Sequence, residues 1–546
     1  MSTDSPEQQT PAGSAAGIKK SSRTTAAVMI CTGISRILGF LRMLVFAYFF
    51  GSSGLADVVQ AVFHIPNSLR MLFAEGALSS AYIPQLSSAL IEDPSGKRAR
   101  TIVQNLFGFL ILLLIPLLGM SVVFAHKVVP LLLSFKEAPL WDMLHHYFPG
   151  YFRLPKMELA IDLFRWMVWY LFLISISAVL LGALNARKVF VIPAITPILF
   201  SVTVIASLYF VPLPIHYRMI VGILTGGIAQ VFFQLPAFFK KKFTILPSFR
   251  FNNEDFKKIR NQWIPVVVSA SIFSVNQLVA IFFASQLEVG SVSALSYAVV
   301  FFQLPMGIFA NSIITVLFPR MSRQVVRNEI GELRNTVAYG IRYMLVLLVP
   351  ATLLLVFLGE DIISITLERG EFTHAATIRA THVLTAFSIG LFSAGGFYLM
   401  QRLFYALKRY YVPLVNAGIV LLVDVGFSLL LKETTLRVIG LAAANTIAFS
   451  AGLLFLFVIA RKQLGRLGGK KILITAIKTC LANIPLVIIM LVYAYFIKGL
   501  FVDSGFLVRA GVVAGVAIAA FFVTMGLCLI FKVEIVEDIV RKRVRK

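Results

Sequence analysis

Charge is scarce in this sequence. Of its 546 residues only 14% are Asp, Glu, Lys or Arg, against 58% hydrophobic. A water-soluble domain needs far more polar surface than that, which excludes an ordinary soluble fold. Cysteine is nearly missing too. Cys31, Cys480 and Cys528 stand singly in or near apolar segments, so no disulfide framework and no paired metal-ligand spacing exists. The seven His are scattered, and the adjacent His145 and His146 have no Glu or Cys at zinc spacing. No early apolar run follows the start codon. The first 25 residues are Ser, Thr, Gln, Pro and Ala with Lys19, Lys20 and Arg23, which reads as a disordered tail rather than a signal peptide.

What the sequence does have is length in apolar runs. Stretches of about 20 residues, enough for a helix to cross a bilayer, recur from end to end. They predict spans at 26–50, 56–89, 102–134, 161–185, 190–212, 217–239, 262–286, 291–319, 339–358, 376–406, 411–431, 436–460, 472–497 and 506–531. The expected fold is an all-α polytopic membrane protein of about 14 transmembrane helices. The net charge of +25 would suggest nucleic acid in a soluble chain. Here the basic residues sit in short loops, and no nucleic-acid partner is expected. About 32 of them fall on one set of alternate loops and about 10 on the other, which puts both termini in the cytoplasm. The loop over 135–160 carries Trp141, Tyr147, Phe148, Tyr151 and Phe152, a pattern that suits a segment lying on the membrane surface.

A weak internal repeat divides the chain. Ala186-Arg-Lys-Val-Phe-Val-Ile-Pro193 matches Ala406-Leu-Lys-Arg-Tyr-Tyr-Val-Pro413. Pro66, Phe73–Gly76 and Pro84 likewise match Pro305, Phe309–Ser312 and Pro319. Six spans per repeat is an even number, so the halves run parallel, as in transporters built from two like bundles. The expected organisation is a tail (1–25), a first six-helix lobe (26–239), a linker (240–261), a second lobe (262–460), two C-terminal helices (461–531) and a basic tail (532–546).

Charges inside spans point to function. An Arg at mid-membrane costs about 2.5–3.5 kcal/mol or more unless a wet cavity or a partner receives it. Arg36 and Arg42 lie in the first span, and Asp57, Arg70 and Glu75 in the second. Arg36 and Arg42 stand about 120° apart on an ideal helix, and Gly39 between them permits a bend that would bring them together. Snorkelling and structural ion pairs are the plain alternative for any one of them. Together, three arginines favour an anion, and guanidinium forks match phosphate oxygens. No nucleotide engine accompanies them. The nearest phosphate-loop lookalike, Gly465–Lys471, has the wrong spacing and no Ser or Thr after its Lys. A polytopic glycan polymerase remains the rival of another class. It calls for a large external loop with catalytic carboxylates, whereas Glu137, Asp142 and Glu158 form no pair.

The stretches Ser35–Arg42, Ile65–Pro84, Gly182–Pro197, Gly226–Pro236 and Arg369–Thr373 resemble the MurJ (MviN) family of lipid II flippases, in the MOP exporter superfamily. Within them the P-N-x-x-R-x-x-F-A-E-G element is the most specific. The resemblance implies a V-shaped pair of lobes, an arginine-lined cavity and a groove for a polyprenyl tail on the last two helices. It implies substrate binding by Ser35, Arg36, Arg42, Asp57, Asn67, Arg70 and Glu75. It implies a bacterial inner-membrane transporter, not an enzyme, that works by alternating access on undecaprenyl-diphosphate-muropeptide beside the cell-wall synthesis machinery. A flippase for another polyprenyl-diphosphate glycan, or a small-molecule exporter, stays open. No cofactor is expected, and Na+, H+ or the membrane potential would drive transport. Some relatives bind sodium between spans 7, 11 and 12, where this chain offers Asn276, Asp424 and Asn445 but no Asp in span 7. Two departures stand out. Met71 replaces a second Arg, and Val299, Val300 and Gln303 replace the family's Asp, Arg and Glu in span 8. The first-lobe arginines are therefore expected to carry more of the work.

Overall fold

The computed structural model describes residues 13–73, 77–135, 156–501 and 504–537. Glu75, the aromatic residues of the 135–160 loop and the end of the basic tail lie outside them. Among the described residues every regular element is helical. In chain order the helices are α1 (Gly13–Phe50), α2 (Gly54–Phe73), α3 (Ala77–Glu92), α4 (Lys97–Val123), α5 (Ala125–Leu132), α6 (Lys156–Met167), α7 (Tyr170–Ala186), α8 (Val191–Phe210), α9 (Ile215–Lys240) and α10 (Glu254–Ser285). There follow α11 (Ser291–Pro305), a π-helical turn (Met306–Ala310), α12 (Asn311–Val326), α13 (Ile330–Leu367), α14 (His374–Ile389), α15 (Leu391–Ala406), α16 (Tyr411–Lys432), α17 (Val438–Leu464), α18 (Gly469–Ala482), α19 (Ile484–Val492) and α20 (Phe506–Ile530).

Among the described residues eleven helices are long and apolar enough to cross a membrane, or twelve if α14 and α15 form one bent span. Fourteen were expected. The two expected spans not among those helices are the second, 56–89, which includes residues outside the described set, and the seventh, 262–286. There α10 opens on the charged stretch Glu254–Arg260 and continues as one helix through the apolar residues that follow, to Ser285. The first helix also begins at Gly13, inside the expected disordered tail, in a stretch whose Ala and Lys residues favour helix. The 46° bend between α14 and α15 has a visible cause. Gly390 lies against Thr446, whose hydroxyl donates to the Ala386 carbonyl at 2.8 Å and so intrudes on the helical ladder.

The repeat read from sequence has a backbone counterpart. Both α7 and α15 end on the matching Ala186 and Ala406, and each is followed by a lysine in the left-handed region, Lys188 at φ 60° and Lys408 at φ 58°. Val189 N donates to Leu184 O and Arg409 N to Phe404 O, both at 2.9 Å. These are two copies of one Schellman turn, 220 residues apart.

The chain forms two compact units. The first comprises Met1–Val45, Leu69–Val123 and Arg165–Val267, and the second Phe46–Ser68, Phe124–Phe164 and Val268–Lys546. Each draws on discontinuous segments, so chain order and compact unit are different partitions. In the first unit α9 packs on α7 and α8 through glycines. A Cβ at Gly226 would press on Phe200 and Thr203, and one at Gly227 on Leu173 and Tyr170. Gly222 and Gly226 form a G-x-x-x-G face, which lets helices approach closely where lipid supplies no hydrophobic drive. Arg98 holds Asp255 by two bonds of 2.7 and 2.6 Å, so that α4 is latched to the start of α10. This bond keeps the Asp255 carboxyl below its ordinary range. The latch is therefore present above that range and is lost as pH falls through the lowered value.

In the second unit the main core joins α12, α13, α15 and α17 around Met344, Phe397, Met400 and Phe404. The last helices dock on α13. Leu358 and Ile365 pack with Leu486, Met490, Tyr493 and Val513. Polar contacts secure both ends. Arg342 bonds Thr475 at 2.8 Å and Glu534 at 2.6 Å, while Lys498 bonds Glu360 at 3.0 Å.

Candidate functional site

In the first unit the site begins on α1, which runs unbroken through Gly39. The helix has no break at Gly39, and the space beside that residue is open. Six residues of regular helix therefore leave Arg36 and Arg42 on different sides. Arg36 is exposed and Ser35 half-buried. Arg42 is half-buried, with its guanidinium 4.9 Å from the Phe200 ring centre on α8. Arg70, at the last turn of α2, is near enough for its charge to act on Arg42. Tyr170 of α7, whose ring lies 5.2 Å from Phe200, is the other group whose electrostatics reach Arg42. Two like charges brought together inside a low-dielectric layer repel, and an anion with several acceptor oxygens relieves that repulsion.

Asp57 belongs to the second unit and does something else. Its Oδ2 accepts from Gly290 N at 2.6 Å. Its Oδ1 accepts from Ser293 N at 2.8 Å and from Ser293 Oγ at 2.6 Å. The carboxylate thus caps the N-terminus of α11, where unsatisfied N–H groups and the helix dipole both favour an anion. Sequence reasoning placed Asp57 with the substrate, but the geometry occupies both its oxygens with protein donors. Around this cap Ser52 Oγ donates to Gly290 O at 3.2 Å and Tyr297 donates to Gly51 O at 2.7 Å. Glu371 N donates to Tyr48 O at 3.0 Å, and Arg379 donates to Val289 O. The Arg369–Thr373 motif is hence a turn laid against Gly51, and Gly51 and Gly370 both take positive φ to allow it. Asn67 is half-buried one residue before Ser68.

Two further features lie in the second unit. Asp424 of α16 is buried, bonded to Asn276 of α10, Asn445 of α17 and Ser428. The Asn276 Oδ1 is buried with no hydrogen-bond partner among the described residues. One carboxylate with a spare amide oxygen suits a hard monovalent cation. Arg402 of α15 went unnoticed in the sequence. Its guanidinium lies 5.7 Å from the rings of both Phe318 and Tyr405. The signal was available, an Arg within the apolar run 376–406, by the same rule that flagged Arg36. Val299 and Val300 are half-buried, so the span-8 position expected to be charged is apolar here.

The family model described as lipid II flippase MurJ matches residues 46–512. The chain belongs to the MurJ family. Arg70 and Asp57 fall inside the matched residues, and Arg36 and Arg42 just before them. A probable lipid II flippase MurJ of Borreliella burgdorferi is 28% identical over 514 residues, 93% of this chain and 97% of that protein. One of Vibrio cholerae is 32% identical over 68% of this chain and 72% of its own length. Among solved structures, a lipid II flippase MurJ in an inward closed conformation aligns with TM-score 0.73 at 24% identity, covering 94% of this chain and 99% of that one. An inward-facing MATE-family multidrug transporter of the MOP superfamily aligns with TM-score 0.60 at 14% identity, over 81% of this chain and 98% of its own, which shows the shared fold.

Proposed function

We propose that this MurJ-family chain flips lipid II. It moves an undecaprenyl-diphosphate-linked muropeptide from the cytoplasmic to the outer leaflet of a bacterial inner membrane by alternating access. The observation that carries the reading is the family match along residues 46–512. The pairing of Arg42 with Arg70 supplies the chemistry, since a diphosphate offers both guanidinium groups charge-assisted bonds. In a strain depleted of its own flippase, expression of this chain should restore growth and clear lipid II from the inner leaflet. Persistent accumulation despite membrane insertion, or clearance of a different polyprenyl-diphosphate glycan, would refute the substrate.

Both termini and the 240–260 segment face the cytoplasm in this reading, because the basic loops cluster there. A cysteine at position 145 should react with an impermeant thiol reagent applied outside intact cells, and one at position 250 should not. The reverse pattern overturns the orientation.

Sodium drives the cycle through Asp424, Asn276 and Asn445 in the same reading. Their oxygens come from three helices, α16, α10 and α17, so a bound cation would tie these together. Binding to the folded state raises its stability by mass action. The purified protein should therefore melt higher in NaCl than in KCl of equal strength, and Asp424→Asn should erase the difference. Equal melting of the unmutated protein in both salts removes sodium from the mechanism.

A further inference from the structure

Along one face of α2 runs a polar stripe at positions 57, 60, 64 and 68, the i, i+3, i+7, i+11 spacing of a single helix face. Every member meets α11, its capping turn or α10. Asp57 caps α11, and Gln60 bonds the Tyr297 hydroxyl. His64 Nε2 lies 3.3 Å from Ser296 Oγ. Ser68 donates to Gln277 at 3.3 Å, and Ser274 donates to the Ser68 carbonyl at 3.0 Å. Two buried atoms in this seam have no hydrogen-bond partner among the described residues, Gln60 Oε1 and His64 Nδ1. They sit one helical turn apart on the same face. A neutral imidazole has one nitrogen to accept and one to donate, so the closed seam satisfies only one of the two.

We propose that His64 is a proton-binding site whose occupancy is linked to the parting of α2 from α11. In the closed seam an added proton would bury a charged imidazolium with an unmatched donor at Nδ1, which is costly without a partner. When the two helices separate, water reaches the ring. The lone-pair nitrogen then takes one proton from water, giving imidazolium and leaving hydroxide or, at acid pH, consuming hydronium. Closing returns that proton to water. Because the proton binds the open seam better, acid favours opening, by linkage. Titratable or charged groups on elements around the seam include Asp57 and Arg70 on α2, the Glu254–Arg260 stretch that opens α10, Tyr297 on α11, Lys156 at the start of α6, Glu288 in the turn before α11, Arg379 on α14 and Asp424 on α16. None of these side-chain types titrates near neutrality in water as histidine does, with Asp and Glu well below and Tyr, Lys and Arg well above. This site is separate from the arginine pair, and the inference stands whichever lipid the arginines bind.

The test reads opening directly, without substrate. Ser291 is buried at the start of α11 and is nearly isosteric with cysteine. In lipid nanodiscs, the rate at which Ser291→Cys reacts with a water-soluble maleimide is followed by mass spectrometry of the peptide that contains it. The comparison at each pH is between His64 and His64→Gln, so thiol ionisation cancels. A water-exposed imidazole titrating near 6.5 predicts a rate ratio of about 11 at pH 5.5 and about 1.1 at pH 7.5. His64→Lys, charged throughout, should label fast at both. His64→Asn gives the same comparison as His64→Gln should the latter fail to fold. A ratio that does not change with pH, or a lysine variant no faster than glutamine, overturns the proposal.

Discussion

Alanine at both Arg42 and Arg70 should abolish lipid II transport while the protein still inserts. Arg42 rests over Phe200, and the charge of Arg70 reaches it. A diphosphate bound there would accept charge-assisted hydrogen bonds, each worth about 1.5–3 kcal/mol. Losing two such partners removes about 3–6 kcal/mol, or roughly 10²–10⁴-fold in binding. With Val300 apolar in the second unit, no charge at that position compensates. Single alanine variants should therefore already lose most activity, and lysine at either place should keep only part of it, because an ammonium lacks the fork. Arg36, exposed on another side of α1, should tolerate replacement better than Arg42. The measurement is complementation of a flippase-depleted strain, with membrane insertion assayed separately. Normal growth with alanine at positions 42 and 70 would make these arginines structural.

The second large effect is expected at Asp57. Asp57→Ala leaves the Gly290 and Ser293 N–H groups and the Ser293 hydroxyl without their acceptor. A buried donor left unmade costs about 1–3 kcal/mol, so the loss should total about 2–4 kcal/mol with some relaxation. Heat-induced unfolding of the purified protein in detergent should fall clearly below that of the unmutated chain. Asp57→Asn keeps one acceptor oxygen but turns an amide donor toward a donor, and should fall between the two. A diphosphate ligand role predicts something different, namely unchanged melting with lost transport. That result would return Asp57 to the substrate.

Much of this was legible in one dimension. The bilayer demands long apolar helices, so the all-helical, multi-span class follows from composition and run length alone. The repeat was readable because a Schellman turn has local sequence requirements, and Ala186–Pro193 and Ala406–Pro413 satisfy the same ones. The arginines of α1 and α2 were readable because a charge in an apolar run is anomalous wherever it points. That rule applied equally to Arg402, which was overlooked among the aromatic residues of its own span.

What a charge is for depends on its neighbours, and these come from distant parts of the chain. Asp57 and Arg70 sit on the same helix thirteen residues apart, yet one caps α11 through residues 290 and 293 while the other acts on Arg42. Asn276, Asp424 and Asn445 become a cluster only when α10, α16 and α17 pack together. His64 looks like any polar residue in a span until Ser296 faces one of its nitrogens and the other has no hydrogen-bond partner among the described residues. The sequence by itself determined the helical membrane class, the repeated helix-ending turn and the presence of costly charges, because bilayer solvation and local turn chemistry act on short segments. The tertiary structure alone decided which charges are caps, which are paired cations and which nitrogen is left over, because hydrogen bonding and Coulomb energy act over a few ångströms between residues that the chain keeps tens to hundreds of positions apart.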